Sequence, residues 1–352
     1  MVDYIVVGLG LAGIAFCEQL EAAGKSYVVI SDDSQQSSVV AGGLYNPVIL
    51  KRFTLAWDAK HQLTEAMPFY DALAEKLNAI IDVKVPVYRR FSNIEEQNGW
   101  FEAADKPGLS DFVIPKVHSY KNPNITSDYG FGEVADTGRI DTKKLLEHYT
   151  IFAAQKGVLR KETVAYSAFE ISATEIRYKD LVAKHIVFAE GYGLANNPWF
   201  NYLPLQGTKG ELLTIKAPNL KEEHVIKSAV FIIPLGNDLY RVGATYKWKD
   251  KTNTPTEEAK TELLEKLNTF LHCEYEVVSH VAGIRPTVAD RRPLLGQHPV
   301  HKNMYVLNGF GSRGVMIAPM ASKALFKNIA CGEKLPSEID IARFTKKHFK
   351  GN

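Results

Sequence analysis

Cysteine is scarce in this chain: the 352 residues hold three, Cys17, Cys273 and Cys331, far apart and odd in number. A disulfide framework or a zinc site needs close pairs such as C-x-x-C, and none is present. The ten histidines form no H-E-x-x-H or comparable ligand spacing, so no metal is expected. A surplus of one charge is missing as well. Lys+Arg number 42 against 40 Asp+Glu, a formal net charge of +2, which excludes a global pull toward nucleic acid or membrane while leaving room for a local basic patch. No apolar run reaches the roughly 18 residues of a membrane span. The apolar start carries Asp3 where a secretory leader carries basic residues, and glycines break it. These absences lead to the expectation of a soluble, cytoplasmic protein, with Cys17 a buried, inert thiol. No repeat or low-complexity tract is present.

What remains is an ordinary globular composition, 45% hydrophobic and 23% charged, in a chain long enough for two intertwined domains. Tyr4 to Val7 reads as a buried strand, Ala12 to Ala23 as a helix ended by Gly24, and Tyr27 to Ser31 as a second strand. Such a βαβ unit implies a parallel sheet. Leu63, Met67, Tyr70, Leu73, Leu77 and Ile80 recur at helical spacing between Thr54 and Ile80, where Pro68 kinks or divides the helix. Asp141 to Lys156 is a further helix, stopped by Gly157. Thr254-Pro255-Thr256-Glu257 reads as a helix start, with Thr254 as cap, proline at the first helical position and Glu257 completing a capping box.

Strand-like segments with turn residues dominate 83–136 and 205–281, among them 211–216, 229–234 and 239–245. Tyr240, Val242 and Ala244 alternate with Arg241, Gly243 and Thr245, which suits a sheet with one buried face. The expected fold class is α/β, α+β overall. A Rossmann-like dinucleotide-binding domain is assembled from 1–84, 137–204 and 282–352. An antiparallel β-sheet substrate domain, 85–136 and 205–281, is inserted into it.

Gly8-Leu9-Gly10-Leu11-Ala12-Gly13 is a G-x-G-x-x-G sequence directly between a strand and a helix. Gly8 permits the tight turn, Gly10 lets a pyrophosphate approach the backbone, and Gly13 lets helix and strand pack closely. The helix N-terminus then offers free N–H groups and a positive dipole end. An acidic residue about 20 positions on should bind the adenosine ribose. Asp32 and Asp33 follow the second strand, and each can instead cap a helix or lie in a solvated turn; Ser31 occupies the place where an acid is usual. A second glycine-rich segment, Met304 to Gly314, leads into a helix over 315–330 closed by Gly332. Glycine turns at both ends of the chain favour FAD over a nicotinamide, because a flavin spans the sheet.

Six segments occur in an order that resembles the D-amino acid oxidase family of FAD enzymes, which includes glycine oxidase and sarcosine oxidase. They are Gly8–Gly13, Ser38–Gly43, Asp136–Asp141, Val187–Gly191, Gly283–Pro286 and Gly311–Gly314. The resemblance implies FAD beneath the glycine motifs and oxidation of amines at the carbon next to nitrogen. Cofactor contacts are then expected from Gly8, Gly10, Leu11, Ala12 and Gly13, from Asp32 and Asp33, and from Ala41, Gly42 and Gly43 beside the ring system. Val164, Gly191 and the run Gly311, Ser312, Arg313, Gly314 and Val315 complete the set. Relatives that attach FAD covalently use a cysteine near the C-terminal motif; here only Cys331 follows it, late in a helix, so non-covalent FAD is expected.

By the same resemblance Arg285 matches the family's arginine that grips a substrate carboxylate, a task suited to a planar guanidinium with parallel donors. The competing reading is a structural ion pair at a strand end. Arg313 is expected to touch substrate or to balance charge on reduced flavin, unless its side chain is tied to backbone carbonyls. Tyr45 is a catalytic candidate that, with Lys51 and Arg52, either lines the pocket or lies exposed. Tyr246 and Trp248 wall the pocket or, by default, pack in a core. Arg291 and Arg292 read as a solvated turn. The expected activity is oxidation of the C–N bond of an amino acid or secondary amine, with a small-molecule partner.

A closer likeness, carried by Gly311-Ser312-Arg313-Gly314, is to the oxidase half of a bifunctional enzyme that modifies wobble uridine in tRNA. A carboxymethylaminomethyl-uridine oxidase is thus the alternative, and it needs basic residues such as Lys51, Arg52, Lys247 and Lys249 at the pocket mouth. Its methyltransferase half has no counterpart in these residues. A non-catalytic flavin scaffold or sensor is the third reading, against which Arg285 argues.

Overall fold

The computed structural model describes residues 1–119 and 121–351. Its first sheet is built on a parallel run in the order Leu159–Lys161, Tyr27–Ser31, Val2–Val7 and Leu181–Phe188. The last of these strands is shared: its start pairs antiparallel with Ile176–Tyr178 and its end pairs parallel with Met304–Asn308. The central strand is buried on both faces, which is why it reads as an unbroken apolar run. Its side chains nevertheless alternate. Tyr4 and Val6 join a core with Ile14, Phe16 and Leu20 of the helix Leu11–Ala22 and with Met316 and Leu325 of the helix Gly314–Cys331. Ile5 and Val7 face the opposite layer with Ile186, Phe188 and Phe200. Cys17 is wholly buried and uncharged, its thiol pKa pushed well above the usual value by burial.

The second sheet runs in the order Glu276–Arg285, Thr208–Lys216, Leu239–Gly243, Phe231–Gly236, Val225–Lys227, Val87–Arg90, Phe131–Val134 and Val113–His118. One pair departs from the antiparallel expectation: Val225–Lys227 runs parallel to Val87–Arg90. This is where the two inserted pieces meet, and the chain between them passes through the first sheet. The helix Glu257–Asn268 covers one face, packing Leu263 and Leu267 on Leu213, Ile215, Ile232, Tyr240 and Val242. The strand bearing Arg285 continues the second sheet to residue 285, past the expected boundary at 281.

Several local expectations need correction. The 54–80 helix is Ala59–Lys76 and contains Pro68 without division, held by packing on Gly314–Cys331 and by the Tyr70 hydroxyl donating to the Val315 carbonyl at 2.9 Å. Thr54–Leu55 pairs instead with Val48–Ile49, and Ile80 lies exposed beyond the helix. The strand expected over 239–245 ends at Gly243, and the alternation breaks there, because Thr245 is buried and Ala244 turns to the cavity described below.

The helix after Pro255 is capped by Thr256, whose Oγ1 accepts from the Ala259 N–H. The shift from Thr254 has a tertiary cause. The Glu211 carboxylate accepts from the Thr256 N–H at 2.8 Å and from its hydroxyl at 3.0 Å, while the Lys209 ammonium donates to the Thr254 carbonyl. Lys209 is fully buried and also meets Asp250 at 2.6 Å and Glu211 at 3.4 Å. Removing one partner of such a group leaves uncompensated buried charge, so Lys209→Met should cost on the order of 3–5 kcal/mol in urea denaturation. An unchanged midpoint and slope would show that this network does not hold the loop.

Candidate active site

Between the two sheets lies a cavity of about 1540 Å³ whose wall takes residues from both. On the first sheet it begins at the turn after Val7. Gly8 has φ +99°, and a side chain there would come within 2.5 Å of the Ala189 carbonyl oxygen. A Cβ on Gly13 would lie 2.0 Å from the Gly8 carbonyl oxygen, so only glycine allows the helix to start so close. Gly8, Gly10, Leu11 and Ala12 line the cavity; Gly13 lies behind them. The helix Leu11–Ala22 starts at Gly10, which has no side chain to cap it; the Leu11 N–H donates to the Ser38 hydroxyl at 3.4 Å, and the positive dipole end faces the cavity.

Ser31 lines the cavity, and its hydroxyl accepts from the Leu9 N–H at 3.2 Å, which steadies the glycine turn. Asp32 lines the cavity and accepts from the Ser34 hydroxyl at 2.6 Å and the Thr163 hydroxyl at 2.7 Å. Burial opposes its ionisation, but these hydrogen bonds outweigh it and hold the carboxyl below its usual pKa. Asp33 also lines the cavity; it is largely exposed and pairs with Lys161 at 3.0 Å. Val164 and Gly191 also line the wall.

Ala41, Gly42 and Gly43 form the part of the wall where the sheets approach each other. A Cβ on Gly42 would sit 2.9 Å from Ile233 Cδ1, and one on Gly43 1.9 Å from the Ile140 carbonyl oxygen. Opposite lies the second glycine turn, Gly311, Ser312, Arg313, Gly314 and Val315, leading into a helix likewise without a side-chain cap. A Cβ on Gly314 would meet Leu11 Cδ1 at 3.2 Å, so the two helix starts adjoin.

Arg285 reaches the cavity from the second sheet. Its guanidinium lies across Gly210, where a Cβ would be 2.0 Å from Nη2, and 4.3 Å from the Tyr246 ring centroid. Nη1 donates to the Thr245 carbonyl at 3.2 Å. Among the described residues it has no acidic partner, so the ion-pair reading fails. Arg313 likewise has no hydrogen-bond or ion-pair partner for its side chain among them. Burial lowers the pKa of both guanidinium groups, so an anion meeting either one relieves its lost hydration.

Tyr45 is not part of this wall. It is buried, its hydroxyl donates to Asp82 at 2.8 Å, and a Cβ on Gly138 would collide with it. The reason is strand alternation: Leu44 faces the cavity, so Tyr45 faces away. Tyr246 and Trp248 are wall residues, 59% and 51% exposed, and not core. Lys51 and Arg52 are exposed on the same cavity, whereas Lys247 is paired with Glu258 and Glu262. Arg291 and Arg292 also line the cavity; Arg292 pairs with Glu338 and stacks over Trp57.

Lys227 and Glu190 are among the wall residues with no site role in the sequence reading. Lys227 lies at the end of a short strand with no motif around it. Glu190 lies within the segment 187–191 but resembles any strand-end acid. In the structure it is buried and accepts from the Tyr166 hydroxyl at 2.6 Å and Asn197 Nδ2 at 2.8 Å. Burial raises its pKa to about 7, the Asp32 charge adds, and the two hydrogen bonds oppose.

Among the described residues no group of three His, Cys, Asp or Glu could hold a metal ion, and no helix is long and apolar enough to cross a membrane. The family model for FAD dependent oxidoreductases matches residues 3–327. The chain is 25% identical to the glycine oxidase of Pseudomonas putida over 93% of its own length and 94% of that protein. It is 28% identical to the tRNA 5-methylaminomethyl-2-thiouridine biosynthesis bifunctional protein of Shewanella halifaxensis, over 45% of this chain; that match spans 30% of the relative's length. The solved glycine oxidase of Bacillus cereus superposes with a TM-score of 0.76 at 20% identity, covering 95% of this chain and 96% of that one.

A cavity bounded by two helix starts and a glycine cradle suits a dinucleotide, whose phosphates face the helix N-termini. The chain belongs to the family of FAD-dependent oxidoreductases. FAD is its cofactor, and the cradle fits it: both helix N-termini can take phosphate charge, and the glycines clear space for it.

Glu190 gives this cradle a pH signature. In the unfolded chain its carboxyl ionises near 4.5, whereas in the fold it keeps its proton to about 7. Between these values the unfolded state releases a proton that the fold retains, so stability falls as pH rises, by on the order of 3 kcal/mol from this group. Thermal denaturation at pH 5 and pH 8 should show a smaller drop for Glu190→Gln than for the wild type; equal drops would contradict the assignment.

Proposed function

We propose that the protein oxidises the carbon–nitrogen bond of an amino acid or secondary amine that carries a carboxylate. The observation that carries this reading is Arg285, a guanidinium without an acidic partner on the wall of an FAD-family cavity. Bound FAD would supply the two-electron acceptor for a hydride from the carbon next to nitrogen, and water would hydrolyse the imine product. Arg285 keeps one Nη1 donor on the Thr245 carbonyl and has its remaining donors free for two parallel bonds to a carboxylate. That grip fixes the neighbouring carbon, which is the larger part of what the protein contributes. Arg313, at the start of the helix Gly314–Cys331, adds positive potential for substrate or for charge accumulating on reduction.

In this reading Gly8, Gly10, Leu11, Ala12 and Gly13 serve the pyrophosphate, Asp32 a ribose hydroxyl, and Ala41, Gly42 and Gly43 with 311–315 the ring system. Val164 and Gly191 pack beside the adenosine. Asp33 is left to its surface pair. The FAD is non-covalent, since Cys17, Cys273 and Cys331 are all off the cavity wall. The free cysteines also suit a cytoplasmic setting.

A tRNA-linked substrate is the second reading. The exposed Tyr246 and Trp248, and Lys51 and Arg52 elsewhere on the wall, offer stacking surfaces and charge at the same cavity, as an extruded base requires. The small-molecule reading is preferred because the net charge is close to balance and Lys247 is already paired. A flavin sensor has no use for an unpaired guanidinium in front of its cofactor.

Arg285→Ala should lower kcat/KM for the true substrate on the order of 10²-fold or more, with Arg285→Lys recovering only part and FAD content normal in both. Turnover indifferent to both changes would sink the reading. Asp32→Ala should weaken FAD binding by roughly 1.5–3 kcal/mol, measured by fluorescence titration of the stripped protein. An unchanged dissociation constant would move the ribose contact to the backbone.

A further inference from the structure

Two cations of the second sheet, Arg285 and Lys227, line the cavity. Arg285 stands on the edge strand Glu276–Arg285, and Lys227 stands on Val225–Lys227, with three strands between. The register places Lys227 opposite Phe231, Phe231 opposite Gly243, and Gly243 opposite Leu212. All four line the cavity, as do Gly210 and Arg285 on the same face. The wall between the two cations is therefore largely apolar, formed by Phe231, Gly243, Leu212 and Gly210.

Lys227 is the unmatched member of a basic cluster. Its ammonium lies 4.4 Å from the Phe231 ring centroid and has no hydrogen-bond or ion-pair partner among the described residues. Its basic neighbours do have partners: Arg89 is hydrogen-bonded to Glu96, and Lys266 meets Glu262 at 2.6 Å. Burial, with Arg89 and Lys266 adding to it, brings the Lys227 amine down to about 8, which leaves it mainly protonated at neutral pH. A partly desolvated ammonium without a counter-ion is costly unless an anion arrives to meet it. Four strand spacings and an offset of four residues along the strands separate the two backbones. The Arg285 guanidinium lies over Gly210 and the Lys227 ammonium beside Phe231, so the charged heads stand on the order of 10 Å apart.

We propose that Lys227 is a distal oxyanion subsite, and that the substrate carries a second acidic group about 10 Å from the carboxylate held by Arg285. This rests on the reading of Arg285 as a carboxylate clamp. The ligand class is an N-substituted amino acid with a carboxylate or phosphate ester at the far end of its substituent.

The test uses the FAD-loaded enzyme and glycines bearing N-alkyl tails of equal length that end in methyl, carboxylate or phosphate. The matching alkylthioacetates lack the amine and report binding alone through the flavin absorbance spectrum. In the wild type at least one anionic tail should raise kcat/KM, and tighten alkylthioacetate binding, by about 10- to 100-fold over the methyl tail. Which tail does so distinguishes carboxylate from phosphate. In Lys227→Met that ratio should collapse toward one, and Lys227→Arg should keep most of it, which separates lost charge from lost folding. A wild-type ratio near one, or a ratio that survives in Lys227→Met, overturns the distal subsite while leaving the Arg285 clamp standing. Indifference of the methyl-tailed compounds to Arg285→Ala overturns the clamp, and the distal subsite with it.

Discussion

The helix Leu11–Ala22 leaves its strand so closely that the Gly8 carbonyl occupies the space a Gly13 side chain would need, 2.0 Å from the Cβ position. Much else depends on that approach. It aims the helix start into the cavity, and it brings Leu11 against Gly314, so that the second helix start arrives beside the first. Two sets of backbone donors then share one space, and their dipoles favour negative charge, with Arg313 at the second helix start adding to them. Asp32 can keep its ionised carboxylate near this region because Ser34 and Thr163 have already satisfied it. Glu190, with fewer donors and deeper burial, holds its proton instead.

The opposite wall is held by a different means. Glu211 donates its N–H to the Thr245 hydroxyl, and the Thr245 carbonyl in turn accepts from Arg285. The same glutamate's carboxylate secures Thr256 and lies 3.0 Å from His280, and Lys209 ties down Asp250 and Thr254. Buried charges of this kind add little net stability against an apolar replacement, but they single out one arrangement of the loop. The segment between Gly243 and Thr256 can therefore keep Tyr246 and Trp248 exposed at the cavity rather than folding them into a core. Rigid support behind the sheet is what lets Arg285 stay unpaired in front of it.

The mixed character of the second sheet follows from its assembly. Its strands come from two pieces of chain, and they join at the parallel pair Val87–Arg90 and Val225–Lys227. That seam puts Lys227 on the cavity face, far from any motif in sequence. Where the strands are antiparallel neighbours, the face of each residue follows from period-2 alternation, as with Leu44 and Tyr45. A one-residue phase decides which of two adjacent side chains meets substrate, and the Leu44–Tyr45 strand is too short to show its phase by pattern.

By itself the sequence determined the glycine turns, the strand and helix that flank Gly8–Gly13, the return helix begun at Asp141 and the helix closed by Gly332. Each rests on a local rule: glycine where a side chain would collide or φ is positive, and apolar spacing where one face is buried. It also carried Arg285 and Arg313 to the cavity, through motif order. Only the tertiary structure decided that Tyr45 turns away, that Thr256 and not Thr254 caps its helix, and that Pro68 sits inside an undivided one. Only it put Glu190 and Lys227 on the wall. These outcomes depend on partners distant in sequence, such as Asp82, Glu211, Val315 and Arg89. A local pattern records which residue types are present, whereas burial and charge at a point in space are set by whichever segments the fold brings there.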